Sequence, residues 1–189
     1  MLSTKILTTA AIVVAAAIGA SAAPTLTTPQ NTTPTVTLTG VTHSVVAGLA
    51  GQLLFDPQNV VAEIGDIVEW HFLPKNHSVV QSSFQAPCVP DAQVDKPFFS
   101  GFMPVKEGQG PDVFQFVVNT AEPIWYYCAQ TTGNHCQNGM AGVINQNFNS
   151  PNTLNAYKLA AAKTGTSVVP PTVQGGVVEP NPNPLSGFN

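Results

Sequence analysis

Short apolar segments separated by turn residues constrain the fold of this chain more than any other feature. The segments are rich in β-branched and aromatic residues, and 17 prolines and 15 glycines spread through the sequence argue against long helices and coiled coils. The segments predicted as strands are 35–42, 53–55, 60–64, 67–72, 78–80, 114–118, 124–127 and 142–144. About eight short strands at this spacing are typical of an all-β protein, either a sandwich or a small barrel.

Charge and composition exclude several classes of protein. The 189 residues include 6 lysines, no arginine and 10 acidic residues, which gives a formal net charge of −4. Nucleic-acid binding needs a basic surface, and this balance argues against it. Only 8% of the residues are charged while 43% are hydrophobic. The chain is therefore too apolar to be disordered throughout, and it is long enough for one domain with a real core.

The first 22 residues have the features of a secretory signal peptide. Lys5 precedes an apolar run at 6–18, and Ala20-Ser21-Ala22 supplies the small residues of a cleavage site. The alternative is a membrane anchor, but this run is shorter than the ~20 residues that a spanning helix needs. No other segment is apolar enough to span, and the C-terminus lacks the hydrophobic tail of a lipid-anchor signal. We therefore expect a cleaved signal at 1–22 and a secreted, extracellular, monomeric protein that does not span a membrane.

The remaining chain divides by composition. The connection at 81–112 is unusually long and carries Cys88, so we expect it to be tethered or functional. Near the C-terminus, Ser150 can cap a short helix whose first position is Pro151. The predicted organisation is a flexible Pro- and Thr-rich lead-in at 23–34, a β domain at 35–147, a short helix within 148–165 and a disordered tail at 166–189.

Three cysteines in an exported chain require an explanation. Thiols outside the cell tend to be oxidised, and pairing two cysteines leaves one over. The leftover thiol must be buried, paired with another chain or bound to a metal. Either Cys88 pairs with Cys136 and leaves Cys128 free, or Cys128 and Cys136 form a local disulfide. Asn31 and Asn76 begin N-glycosylation sequons, of which we expect the second to be unused.

Four residues form a candidate metal-binding set. Cys128 directly follows a predicted strand, and the loop after it contains His135 and Met140. His77 lies immediately before another predicted strand, 51 residues upstream of Cys128. Two imidazoles, one thiolate and a weak axial thioether are the ligands of a mononuclear electron-transfer copper site. Each residue alone has an ordinary structural interpretation, a polar turn for His77 and core packing for Met140, and only their combination predicts copper.

The other two histidines are not predicted to bind metal. His43 lies in a Thr-, Ser- and Val-containing segment that we expect to be a solvated turn. His71 alternates with Trp70 and is expected to face the opposite side of its strand.

Two motifs in this chain resemble those of the cupredoxins. The first is Gly65-Asp66 with Trp70 and His77-Ser78-Val79, and the second is Tyr127-Cys128 followed by His135-Cys136-Gln137-Asn138-Gly139-Met140. Over residues 35–147 the chain is most similar to the phytocyanin branch and to secreted fungal cupredoxin-like proteins. The resemblance implies a Greek-key β-sandwich and one type 1 copper bound by His77, Cys128, His135 and Met140. It also implies a disulfide between Cys88 and Cys136.

One spacing departs from the phytocyanin pattern. Phytocyanins usually place four residues between the cysteine and the loop histidine, whereas this chain has six, 129–134. The extra residues, expected within 131–133, either bulge outward and leave the ligands in place or open the site.

The candidate ligands and the loop spacing are compatible with two classes of function. The first is a secreted blue copper protein that transfers single electrons to a redox partner protein or buffers copper. The alternative is a copper-free cupredoxin-fold module of the cell wall or matrix, with a structural or binding role. An enzyme is not expected, because a histidine-brace oxygenase needs an N-terminal histidine and a multicopper oxidase needs more than the four histidines present.

Overall fold

The computed structural model describes residues 36–183. The predicted signal peptide at 1–22, the lead-in at 23–34, the sequon at Asn31 and the end of the predicted tail, 184–189, lie outside the described residues. The strands are β1 (Thr42–Ala47), β2 (Phe55–Asp56), β3 (Asn59–Val60), β4 (Ile67–Phe72), β5 (Lys75–His77), β6 (Val80–Ser82), β7 (Met103–Val105), β8 (Asp112–Val117), β9 (Ile124–Tyr127), β10 (Ala141–Ile144) and β11 (Val177–Pro180). The helix α1 spans Leu154–Ala161, and a single 3₁₀ turn spans Leu49–Gly51.

The strands form two main sheets and a small one. Sheet A has the order β11-β8-β4-β1-β2, sheet B the order β3-β10-β9-β6, and β5 pairs with β7 beside them. Most neighbours are antiparallel, but β1 runs parallel to β4 and β3 runs parallel to β10. The chain passes repeatedly between the two sheets, from β4 to β6, to β8 and to β9. The predicted Greek-key β-sandwich with a short C-terminal helix is confirmed.

The core follows from the alternation of residues along the strands. In β4, Val68, Trp70 and Phe72 point inward, and Trp70 meets Tyr126 of β9 edge to face with ring centroids 5.3 Å apart. Because β9 alternates in the same way, its inner face carries Tyr126 and, one step beyond the strand, Cys128. The period of the strand therefore aims the thiol into the sandwich.

Sheet B is covered on its outer face as well. Trp125 and Tyr127 point outward from β9 into a second buried cluster, closed by α1 and the long connection before β7. Tyr157 of α1 stacks on Trp125 with centroids 5.3 Å apart and planes 6° from parallel, and its hydroxyl is 2.6 Å from Ser82 Oγ. The helix is thus a third layer.

The helix begins later than the predicted cap. Thr153 is the N-cap, and its hydroxyl accepts the Ala156 N–H at 3.2 Å. Ser150 instead accepts the N–H of Asn152 in a preceding turn. The Gln146 side chain accepts the Leu154 N–H at 2.7 Å, which fixes where the helix starts.

The first predicted strand is displaced. Residues 36–41 form no strand, and their apolar side chains are largely exposed, Leu38 by 58% and Val41 by 49%. The strand begins only at Thr42, where pairing with β4 becomes continuous. His43, expected in a solvated turn, is therefore part of β1.

The predicted disordered tail is partly structured. The carbonyl oxygen of Val168 accepts a hydrogen bond from the Tyr127 hydroxyl at 2.6 Å. Val177–Pro180 pairs with β8 as the edge strand β11 of sheet A. The prediction was wrong for 166–183, because the free edge of β8 supplies partners that composition alone does not show. In the described part of the chain, no helix is long and apolar enough to cross a membrane.

Candidate metal centre

Three buried side chains converge at one end of the sandwich. Cys128 follows β9, His77 ends β5, and His135 lies in the loop between β9 and β10. One potential ligand atom from each lies within 4.8 Å of the other two. A metal ion with bonds of about 2.0–2.3 Å to nitrogen and sulfur holds its ligand atoms roughly 3.3–4 Å apart. The cluster therefore needs only a small contraction to fit a single ion.

Each imidazole has an Nδ1 atom that is available to a metal. His135 Nδ1 lies 3.4 Å from Cys128 Sγ. His77 Nδ1 is buried and has no hydrogen-bond partner among the described residues, whereas its Nε2 faces the Lys75 N–H at 3.3 Å. A buried nitrogen without a partner is unfavourable unless something else binds it. This orphaned nitrogen fits a metal ligand.

The longer loop closes without displacing His135. The exposed residues 131–134 make a tight turn in which the Asn134 N–H donates to the Thr131 carbonyl at 3.0 Å. Gly133 and Asn134 have positive φ angles of 82° and 46°, a conformation that these two residue types adopt readily. The His135 N–H then donates to the Gln130 carbonyl at 3.1 Å. The extra residues therefore bulge outward, and the His135 imidazole still lies beside the Cys128 thiol.

Met140 is hydrogen-bonded through its backbone to two residues of the cluster. Its N–H donates to the His135 carbonyl at 2.9 Å, and its carbonyl accepts the Cys128 N–H at 3.0 Å. The side chain is fully buried in the same core cluster as Cys128. The backbone thus fixes the thioether residue next to the thiol residue.

Ser78 positions the thiol and was not identified as functional from the sequence. Its N–H faces Cys128 Sγ at 3.4 Å, and its hydroxyl accepts the Ala129 N–H at 3.0 Å. Ser78 belongs to the same Asn-His-Ser-Val motif as His77, which is the signal that could have indicated it.

Burial controls the protonation of the three groups. It raises the pKa of Cys128, an effect that backbone hydrogen bonds from Gln130 and Ser78 oppose. It lowers the pKa of His77, and it lowers that of His135 to about 4 with a further contribution from the neighbouring His77. Both imidazoles are therefore neutral at pH 7, which is the form that binds metals, and a cation is what would stabilise the thiolate.

Gly48 makes room for His77. It has a φ of 89°, and a Cβ atom there would lie 2.8 Å from His77 Cδ2 and closer still to Nε2. Nothing in the sequence links a glycine after β1 to a histidine in β5, so sequence analysis missed this contact.

The disulfide is the one implied by the family resemblance. Cys88 and Cys136 are bonded, with Cα atoms 5.8 Å apart, and Cys128 is free and buried. The alternative local bond between Cys128 and Cys136 is wrong. The bond ties the long connection to the loop that carries His135.

The remaining histidines contact carboxylates. His43 is half-buried, and its Nε2 lies 2.7 Å from Asp66 Oδ2. His71 is buried, with Nε2 2.8 Å from Glu69 Oε1.

Two proteins of Arthroderma benhamiae are similar to this chain in sequence. One, named "Probable GPI-anchored cupredoxin-1", is 36% identical over 135 residues, which is 71% of this chain and 67% of that protein. The other, "Extracellular serine-rich protein", is 33% identical over 138 residues, 72% of this chain. The chain spans only about half, 51%, of this second relative. No protein-family model matches the sequence.

Solved structures of similar proteins are more distant. Native pseudoazurin from Hyphomicrobium denitrificans is 20% identical with a TM-score of 0.41, covering 67% of this chain and 100% of that chain. A purple cupredoxin from Nitrosopumilus maritimus is 15% identical with a TM-score of 0.39, covering 53% and 95%.

Neither relative assigns the chain to a branch, so its placement with the phytocyanins stays a prediction. The extent of the first sequence match establishes the broader group, and the cluster of His77, Cys128 and His135 is consistent with it. The chain belongs to the cupredoxin family.

Proposed function

We propose that this chain is a type 1 (blue) copper protein that transfers single electrons or buffers copper. One copper ion would be held by His77, Cys128 and His135, with the thioether of Met140 as a fourth, weaker ligand. The observation that carries the proposal is the convergence of three buried ligand atoms within 4.8 Å of one another. Burial of these atoms sets them apart from the exposed polar clusters that are common without a metal.

The donor set supports copper rather than a hard cation. Thiolate and thioether ligands suit Cu(I), imidazoles suit both oxidation states, and oxygen ligands preferred by calcium or magnesium do not occur in the cluster. When bound, copper supplies a one-electron redox couple. The protein's contribution is to hold the same ligands around both oxidation states.

The surrounding residues hold the ligands rigidly. Met140 is hydrogen-bonded through its backbone to His135 and Cys128, and the Ser78 N–H faces the Cys128 sulfur. The cluster is buried, so water is largely excluded. Four protein ligands would leave no open position for a substrate, which favours an electron carrier over an enzyme.

We further propose that the protein acts outside the cell, as a monomer that meets a redox partner protein or cell-wall and matrix components. The support is the signal-like sequence at 1–22 and the names of the two relatives, one GPI-anchored and one extracellular.

Visible absorption with metal analysis tests this function. Protein lacking the signal segment and supplied with Cu(II) should bind one copper per chain and show an intense thiolate-to-copper band. Cys128→Ser should abolish the band, while Thr132→Ala, in the exposed part of the loop, should leave it unchanged. Protein that binds no copper and shows no band would overturn the proposal and favour the copper-free wall or matrix module.

A further inference from the structure

A second concave site lies away from the metal centre. Residues 81–93, the start of β9 and residues 147–152 after β10 enclose a cleft with a volume of about 430 Å³, which we name the amide cleft. That volume lies within the range of small-molecule sites. Ile124 of the cleft precedes Cys128 by four residues of extended chain, about 13 Å. An occupant of the cleft and a metal ion would therefore not compete.

The chemistry of the amide cleft excludes several ligands. Its charged residues are Asp91 and Glu122, with no lysine or histidine among the described lining residues, so anions are repelled. These carboxylates do not form a metal-binding group with a third ligand in the described chain. Most of the other lining groups are amides and hydroxyls, which are poor partners for a wholly apolar ligand.

A peptide strand does not fit beside the cleft either. Its nearest sheet edge is β6, and that edge is already occupied. Gln81 N–H donates to the Phe98 carbonyl at 2.9 Å, and Val80 bridges to Phe99. Strand addition needs a free row of backbone groups, so this mode of peptide recognition is blocked.

The lining matches an uncharged ligand with many hydroxyl groups. Gln85, Gln93, Asn147 and Asn152 each carry an amide, which donates and accepts hydrogen bonds as vicinal sugar hydroxyls do. The carboxylates add acceptors for hydroxyl protons. The amide and acidic side chains thus provide both the donors and the acceptors that sugar hydroxyls need as hydrogen-bond partners.

Aromatic rings make one wall of the cleft rigid. Phe84 and Trp125 both line it, with ring centroids 5.1 Å apart. The Trp125 ring also stacks on Tyr157 of α1, and the Tyr157 centroid lies 6.4 Å from that of Phe84. The apolar face of a sugar ring packs well on such a surface, and Phe84, only partly buried, is the ring available for that contact.

We propose that the amide cleft binds a segment of a neutral hexose oligosaccharide. The same chemistry is offered by glucose and N-acetylglucosamine polymers, and the test separates them. Binding there would anchor the protein on a polysaccharide and leave the metal end free.

The test uses metal-free, nitrogen-15-labelled protein, so its result is independent of copper binding. Amide resonances are followed while laminarihexaose, chitohexaose or, as the acidic control, an oligogalacturonate is added. The variant Gln85→Ala/Gln93→Ala removes two exposed amides from the cleft. The matched control, Gln52→Ala, removes an exposed amide that does not line it.

At least one neutral hexasaccharide should bind saturably, with shifts confined to the amide cleft, and the one that binds identifies the polymer. The double variant should weaken binding about tenfold, because each lost hydrogen bond costs about two- to tenfold. The control variant should bind as the unaltered protein does, and the oligogalacturonate should not bind. Absence of saturation by both neutral sugars at about 10 mM, shifts elsewhere, or equal binding by the two variants would overturn the proposal.

Discussion

Substituting Gly48 by alanine should disturb the proposed copper site without replacing any of its proposed ligands. The added Cβ would lie 2.8 Å from His77 Cδ2 and closer to Nε2, with the Pro74 carbonyl oxygen 3.2 Å away on another side. Real Cβ atoms do not approach so closely, so the His77 ring must move. That movement changes the position of Nδ1 relative to Cys128 and His135.

A matched control exists three residues later. Gly51 also has a positive φ, 72° against 89° for Gly48, but a Cβ there meets nothing within 4 Å. Alanine in this left-handed conformation costs about 1–2 kcal/mol at either position. The difference between Gly48→Ala and Gly51→Ala therefore isolates the contact with His77.

Copper affinity and stability should respond differently in the two variants. Residues that orient metal ligands are typically worth about 10–100-fold in affinity, equivalent to about 1.4–2.8 kcal/mol. We expect Gly48→Ala to lose that much in competition titrations with a chelator and Gly51→Ala to keep the original affinity. Urea unfolding of the metal-free proteins should show both to be destabilised. Equal copper affinities in the two variants would refute the assignment of Gly48 as the residue that makes room for His77.

Three further predictions concern stability, each measured by urea or guanidinium unfolding of metal-free protein. Tyr157→Ala should lower the free energy of unfolding by about 3–5 kcal/mol, because it uncovers the outer face of sheet B. The control Leu159→Ala, at a residue 61% exposed on the same helix, should change it by no more than about 0.5 kcal/mol. Similar losses in the two variants would contradict the role of the helix as a third layer. Hydrogen bonds from Thr39, His43 and the Glu63 backbone lower the pKa of Asp66 from 3.8 to about 2. That contribution is present above about pH 4 and lost as the pH falls towards 2, so unaltered protein should weaken in this window more than Asp66→Asn, and parallel pH profiles would contradict it. Replacing Cys88 and Cys136 together by alanine should cost roughly 3–4 kcal/mol, since the bond joins residues 48 positions apart; an unchanged denaturation midpoint would argue against any constraint by this bond.

The residues of the candidate metal site could be predicted from the sequence better than the residues that position them. The side-chain period of β9 places Tyr126 and Cys128 on one face, and the histidines at 77 and 135 stand at the ends of recognisable segments. The length of the 129–134 loop did not predict its conformation, because the turn that closes the loop depends on the φ angles of Gly133 and Asn134. Gly48 could not be predicted at all, since its role depends on which elements become neighbours in space.

The fold was predictable where strands are buried and less so at the edges of the sheets. Ile67–Phe72 matches its prediction because its alternate residues fill the core between the sheets. Ile124–Tyr127 matches because its residues alternate between that core and the second buried cluster. Residues 36–41 alternate too, yet strand pairing with β4 starts only at Thr42. β11 is exposed throughout and has no apolar period, so only the free edge of β8 determines it.

The disulfide has a consequence for how the protein must be produced. Three cysteines can form three different single bonds, and only the one between Cys88 and Cys136 leaves Cys128 reduced. In an unfolded chain Cys128 and Cys136 are eight residues apart, so the entropy of loop closure favours their bond over one joining residues 48 apart. Premature oxidation therefore traps the thiol in the wrong pairing, and burial protects it only after the sandwich has closed. Preparations should be folded before they are oxidised, or supplied with a disulfide isomerase. Under the proposed function, the copper bound per chain then measures the fraction that paired correctly.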